Sequence, residues 1–400
     1  MAEIWRDDAL EQHFCELTSL LQSSQSLWHH HAFKHPQMPW ESQYPALAKQ
    51  LRMLSFAQAE NLSGDDDRLL EYLADKLPIA ALLKSACALE PLVSHLPQSA
   101  EPRDIPGRKW QQIHAFSACL PVNNLPMLEW CAGKSHLGRQ LAKERSCAVT
   151  ALEFDEHLIA AGQQLAARDR VIIDFRQIDV MTPRVESMLS RQQNVIALHS
   201  CGDLHLQLLR LCARQRTQTI TLAPCCYQLV SNESHFLLSQ AAIAADLKLQ
   251  RDDLRTAVHG SMTSPPRVRR QRQQLQAWRL GFDLLQREVR GIDSYLSTPS
   301  MPTAILQSTF TDFCQRLAAH HSLQLPPKIN YRHCENAGSE RLGEVTALDL
   351  PRSAFRRALE LWLVLDRALF LRESGYAVAV GVFCERKLTP RNVLIRAERI

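Results

Sequence analysis

No run in this sequence approaches the roughly 18 apolar residues that a membrane-spanning helix requires, so no transmembrane anchor is expected. The chain opens MAEIWRDDALEQ, acidic and amphipathic, without the basic stretch and apolar run of a secretory signal. A cytoplasmic location is therefore expected. Charge bias is also missing: 46 Lys and Arg against 42 Asp and Glu leave a net charge of +4. That balance permits a nucleic-acid partner without demanding one. Repeats and low-complexity tracts are missing too, which excludes fibrous and disordered classes. A dinucleotide fingerprint, G-x-G-x-x-G, is not present, since the candidate segment offers only Gly133 and Gly138.

Cysteine, by contrast, is plentiful, with twelve residues. A disulfide framework is not expected in a long chain in a reducing compartment, nor is a disulfide-linked partner. Most of these thiols read as small buried hydrophobes. Cys201, Cys225 and Cys226 stand apart because they fall at strand ends.

At 400 residues the chain exceeds one compact core, which predicts a main domain with additions. Residues 1–105 read as helical, with Leu10, Phe14, Leu17 and Leu21, then Leu47, Leu51 and Leu54, at helical spacing. His29, His30 and His31 read as a polar loop between helices rather than a metal site, because consecutive residues point in different directions. Asp104-Ile105-Pro106-Gly107 marks a boundary. Strand-length apolar runs then alternate with helical stretches: Met127–Trp130, Ala148–Phe154, Val171–Ile178, Asn194–His199 and Thr219–Ala223. Such alternation predicts a parallel, doubly wound sheet. After Val230 it stops, and 231–350 reads as a helical insertion interrupted by Pro265-Pro266, Pro299, Pro302 and Pro326-Pro327. An amphipathic helix over Ser353–Glu373 and a hairpin of Tyr376–Cys384 with Asn392–Arg396 close the chain.

The loop Leu128–Gly138 runs from the first strand into a helix through Cys131, Ala132 and Gly133, small residues that let a ligand approach the backbone. The acidic strand ends follow in order. Glu129 can accept from an ammonium, and Glu153 stands where a ribose diol is bound, with Asp155 as helix N-cap. Asp179 can accept from an adenine amine, with Ile178 and Val180 flanking the ring. His136 and His199 complete the cofactor candidates.

The motifs C-A-G-K-x-H-L at 131–137, A-L-H-S-C-G-D-L at 197–204 and P-C-C-Y at 224–227 resemble a branch of class I methyltransferases. That branch contains the glutathione-S-transferase C-terminal-domain-containing protein and bacterial relatives. Leu365-Asp366-Arg367 and Pro390-Arg391-Asn392 are similar to its C-terminal pattern, and Ser135 stands where the family usually has glycine. The resemblance covers about 105–230 and 350–400. It implies an α/β, Rossmann-like sheet of seven strands and S-adenosyl-L-methionine as cofactor; RNA methylation is an expectation from related branches. The domain reading is then 1–105, an N-terminal helical domain; 106–230, the cofactor-binding part of the methyltransferase core; 231–350, a helical insertion on the substrate side; and 351–400, the closing helix and hairpin.

The transferable methyl is expected at the ends of the fourth and fifth strands, where His199, Cys201, Asp203, Cys225, Cys226 and Tyr227 fall. Three chemistries stay open there. Asp203 or Tyr227 can orient an amine for in-line attack. A thiol can add to C6 of a pyrimidine and activate C5. Cys201, Cys225, Cys226 and His199 can bind zinc, although paired short spacings are missing and no metal is expected. Lys109, Arg267, Arg269, Arg270, Arg391 and Asn392 are the substrate-side candidates, the first four as phosphate contacts and the last two as contacts to a phosphate or a base edge. The expected activity is methyl transfer to a base nitrogen of rRNA or tRNA. The rivals are a non-catalytic methyltransferase-like binding module and a thiol-dependent pyrimidine C5 enzyme.

Overall fold

The computed structural model describes residues 3–95, 105–145, 147–232, 236–258, 266–299 and 301–400. Within it the chain forms two compact units. The first comprises Met1–Ser23, Ser85–His259 and Arg356–Ile400 and contains the sheet; the second comprises Ser24–Lys84 and Gly260–Phe355. Asp104 and Pro265, read as boundary residues in the sequence, lie outside the described residues.

The sheet strands are β1 (Trp5–Arg6), β2 (Met127–Glu129), β3 (Val149–Glu153), β4 (Ile173–Gln177), β5 (Asn194–Cys201), β6 (Thr219–Cys225), β7 (Tyr376–Val382) and β8 (Val393–Arg399). Their spatial order is β1-β7-β8-β6-β5-β2-β3-β4. The expectation of seven strands is corrected to eight: Trp5–Arg6 adds to the edge, antiparallel to β7. Two residues carry no periodicity, which is why this strand left no mark in the sequence pattern; the buried Trp5 indole fixes it in place. The expected parallel set runs from β2 to β6. β8 inserts between β6 and β7, antiparallel to both.

Burial on both faces explains the composition of the central strands. Every residue of β6 is buried, as are the first four of β5, Asn194–Ala197. The edge strand β4 is correspondingly polar and partly exposed. From β2 the chain winds to β3 and β4 on one side, then crosses to β5 and β6 on the other. The crevice between β2 and β5 is thus the switch point where an α/β sheet receives ligands at the carboxyl ends of its strands.

The helix Arg356–Glu373 is buried along most of its length. Its Asp366 carboxylate accepts from the N–H groups of Leu238 and Ser239 and from the Ser239 hydroxyl, and pairs with the equally buried Arg367 at 2.8 Å. These bonds hold residues 236–258 in the sheet unit. The compact units therefore divide the chain differently from the sequence boundaries at 105, 230 and 350. The first long helix, Asp8–Ser23, also belongs with the sheet, whereas 24–84 and 260–355 share one helical body.

That second unit has its own core, in which Trp278, Phe282, Phe310, Phe313 and Leu317 pack together. Its helices Pro266–Arg290 and Tyr331–Leu348 cross at Gly338, where a Cβ would come within 2.4 Å of the Ala277 carbonyl oxygen. The imidazole of His31 pairs with Asp349 at 2.8 Å, a structural use of the histidine run. No helix among the described residues is long and apolar enough to cross a membrane.

Candidate functional site

The turn after β2 alternates into the left-handed region: Cys131 has φ 53°, Gly133 φ 58° and Ser135 φ 48°. Its neighbours hold it by backbone bonds, from Trp130 N–H to the Ile196 carbonyl and from Ala132 N–H to the Leu152 carbonyl, each 2.9 Å. Around Gly133 the place of a side chain is open, with no heavy atom within 4 Å. Glu129 is buried beneath the turn. Its carboxylate accepts from the Ser135 hydroxyl at 2.5 Å and from Gly138 N–H at 3.1 Å. Burial raises its pKa to about 7, against those two bonds. Glu129 therefore ties the turn to the helix His136–Arg145. His136, the first residue of that helix, is likewise buried, its Nδ1 2.7 Å from the Arg139 guanidinium.

Glu153 ends β3 with one oxygen accepting from Gly133 N–H at 2.7 Å and the other from Phe154 and Asp155 N–H at 2.8 and 3.0 Å. Asp155 caps the next helix, as its position in the sequence predicts. Asp179, just past β4, accepts from Met181 N–H at 2.9 Å. Cys131 lies within electrostatic reach of Glu153, Asp179 and Cys201, and burial first, then these groups, raises its thiol to about 12. Four strand ends thus converge on the Cys131–Gly133 turn. Val180 is buried, however, so it offers no surface to a planar ring. Exposed apolar surface at adjacent strand ends comes instead from Phe154 (69%) and Met181 (45%).

At the end of β5 the pairing with β6 shifts register between Leu198 and Ser200, where His199 takes φ 64°. His199 Nε2 lies 2.9 Å from the Gln112 side-chain oxygen, which fits an Nε2–H donor and leaves the buried Nδ1 without a partner. Burial, then Arg391, lowers its pKa to about 4, so the imidazole is neutral near pH 7. Next, Gly202 has φ 50°, and a Cβ there would stand 1.8 Å from the Leu229 carbonyl oxygen. Asp203 donates its N–H to that carbonyl at 3.0 Å and accepts from Ser231 N–H at 2.7 Å. It clasps the loop after β6.

Cys201 and Cys225 are register partners, their sulfurs 3.2 Å apart, and Cys226 completes a trio of sulfurs lying within 4.8 Å of one another. Hydrogen bonds from Cys201 and Cys225 pull the Cys226 thiol well down, while the same sharing pushes Cys225 up. Tyr227 is absent from this surface: it is fully buried, under the Arg367 guanidinium at 5.6 Å and edge-on to His205. An acceptor cannot reach its hydroxyl. Asn392 is also buried, donating to the Cys384 carbonyl at 2.6 Å and accepting from Arg357 at 3.1 Å, so it builds the hairpin. Arg391 lies within electrostatic reach of His199, Cys201 and Cys226.

Lys109 is in the helix Gly107–Ser117 and feels the Glu129 charge, though burial lowers its pKa. Arg267, Arg269 and Arg270 lie in the first turns of Pro266–Arg290, in the second unit, with Arg267 and Arg270 exposed. Farther along that helix the arginines are engaged internally: Arg287 with Asp283 and Asp293, and Arg290 with Gln286. Gln112, which no sequence motif marks, reaches the site from the helix Gly107–Ser117, just ahead of β2.

Residues 108–233 match a family model described as a methyltransferase domain. No curated protein matches the chain. Among the solved structures it resembles are precorrin-6y C5,15-methyltransferase from Geobacter metallireducens GS-15 (11% identity, TM-score 0.25, covering 31% of this chain and 66% of that one) and the 23S rRNA methyltransferase ErmE (18%, 0.24, covering 30% and 46%). A third is the S-adenosylmethionine-dependent methyltransferase SibL (16%, 0.23, covering 39% and 53%). The matched portions thus span from about half to just under two thirds of those chains. Residues 108–233 are thus similar to a methyltransferase domain.

Proposed function

We propose that the chain methylates RNA, rRNA or tRNA, at a base nitrogen, with S-adenosylmethionine as the donor, held along the carboxyl edge of β2, β3 and β4. The observation that carries the donor site is the convergence of Glu153, Asp179 and the Cys131–Gly133 turn on the carboxyl edge of β2–β4, beside the switch point. The residues fit the donor. Glu153 offers a carboxylate to ribose hydroxyls, Asp179 a carboxylate to an amine, and Phe154 and Met181 exposed apolar surface to a ring. Open space above Gly133 lets the backbone come close to the ligand. When bound, the donor supplies a methyl on a positively charged sulfur.

The chain's own part is placement. Gln112 holds the His199 ring, and Asp203 holds the loop after β6 against β5, so hydrogen bonds already position both flanks of the acceptor side. Holding nucleophile and methyl in line is the main source of rate in such a reaction. Addition of a thiol to a pyrimidine needs a sulfur free to reach the base, and here the three sulfurs face one another. That favours a nitrogen acceptor. Phosphate contact is assigned to Arg267 and Arg270, the exposed cations of a basic helix start.

Transfer of tritiated methyl groups to total RNA and total protein, each in excess, tests this reading. Label in RNA is expected, and label in protein alone would remove the RNA assignment. Donor binding with no transfer to either would favour the non-catalytic module.

A further inference from the structure

The trio of Cys201, Cys225 and Cys226 is assembled by backbone geometry. Cys201 and Cys225 face each other across β5 and β6, on the two strands flanking the His199 register shift. Cys226 follows directly in sequence, and adjacent residues of a strand point to opposite faces. It joins the other two only because its backbone turns left-handed, at φ 48°. A non-glycine residue in that region is strained. Three neutral thiols return little for it, since S–H is a weak donor and sulfur a weak acceptor.

Two further groups at the cluster lack partners. His199 Nδ1 and Arg391 Nε are buried without a hydrogen bond, and both residues lie within electrostatic reach of Cys226. A buried guanidinium N–H without an acceptor is costly, and it is the donor expected beside an anionic sulfur centre.

We propose that Cys201, Cys225 and Cys226 bind one zinc ion as thiolates, with a fourth position open to solvent or to a substrate donor atom. Soft sulfur ligands with no carboxylate among them select zinc or copper(I) over harder ions. Zinc–sulfur bonds of about 2.3 Å in a tetrahedron set the sulfurs roughly 3.8 Å apart. The observed 3.2 Å for Cys201–Cys225 and the 4.8 Å limit for the trio bracket that value. Three protein ligands leave one site open, the arrangement of reactive rather than purely structural zinc. Cys201 and Cys226 are both partly exposed, so the open position has access from solvent. Three thiolates and one zinc ion carry a net charge of −1, which Arg391 offsets. This site is independent of the identity of the methyl acceptor, and it occupies the sulfurs that a covalent thiol mechanism requires.

The full chain, purified under reducing conditions without chelator, is expected to hold one zinc per molecule by elemental analysis. Exchange for cobalt(II) should then give sulfur-to-metal charge-transfer bands and the visible bands of a tetrahedral thiolate site. Cys201→Ser, Cys225→Ser and Cys226→Ser should each lose them, while Cys384→Ser, outside the trio, keeps them. Should the serine variants fail to fold, the wild-type protein decides alone. Reduced wild type that takes up no zinc and shows no thiolate bands with cobalt(II) overturns the proposal, and so does an unchanged spectrum in all three folded variants.

Discussion

The hydroxyl of Ser135 donates to the Glu129 carboxylate at 2.5 Å, bridging the turn after β2 while its own backbone stands at φ 48°. The relation explains why a non-glycine residue is tolerated at this left-handed position: the hydrogen bond offsets the backbone strain. Ser135→Ala keeps the strain and leaves the carboxylate short of a donor, so it should destabilise by about 1–3 kcal/mol. Ser135→Gly loses the bond but removes the strain, and should lie about 1 kcal/mol above the alanine variant. Urea denaturation of the three proteins gives the order.

Glu129 makes stability depend on pH. Its folded pKa is raised to about 7 from 4.5 by burial, so the folded state binds the proton more tightly than the unfolded state. The resulting stabilisation is fully present below 4.5 and is lost as pH rises through about 7, amounting to at most about 3 kcal/mol. Glu129→Gln, which resembles the protonated form, should remove this component. Denaturation midpoints at pH 5 and pH 8 should differ less in the variant than in wild type. Equal differences would mean that Glu129 is ionised throughout.

Gly202 has no room for a side chain. An added Cβ would sit 1.8 Å from the Leu229 carbonyl oxygen at a φ of 50°. Gly202→Ala must therefore displace the loop after β6, which carries Cys226. The expectation is a loss of more than about 3 kcal/mol, read by thermal denaturation. A variant as stable as wild type would show that the loop yields freely.

The exposed start of the helix Pro266–Arg290 predicts a salt-sensitive RNA contact. Replacing Arg267 and Arg270 with alanine should weaken RNA binding and reduce the slope of log affinity against log salt by about 1.5 for two lost phosphate contacts. Replacing Arg287 should act on stability instead, because Asp283 and Asp293 already engage it. Filter binding across a salt series separates the two.

The central strands were legible because burial on both faces demands continuous apolar runs, and β5 and β6 have them. Glu153 and Asp179 were legible through their places at consecutive strand ends, since ligands bind there for topological reasons. Three features were not. Trp5–Arg6 is too short to show a period. The pairing of 24–84 with 260–355 joins segments nearly two hundred residues apart, and no local pattern marks it. Tyr227 and Asn392 carry groups suited to a site, yet neighbouring residues decide their burial. An aromatic beside two cysteines reads the same whether it faces substrate or, as here, Arg367.

Isothermal titration with S-adenosylmethionine tests the central claim, that the carboxyl edge of β2–β4 is the donor site. Wild type should show saturable one-to-one binding. Glu153→Ala, which also frees the Gly133 N–H, should weaken it at least about tenfold, or about 1.4 kcal/mol. No binding by folded wild type, or unchanged affinity in both Glu153→Ala and Asp179→Ala, would contradict the account.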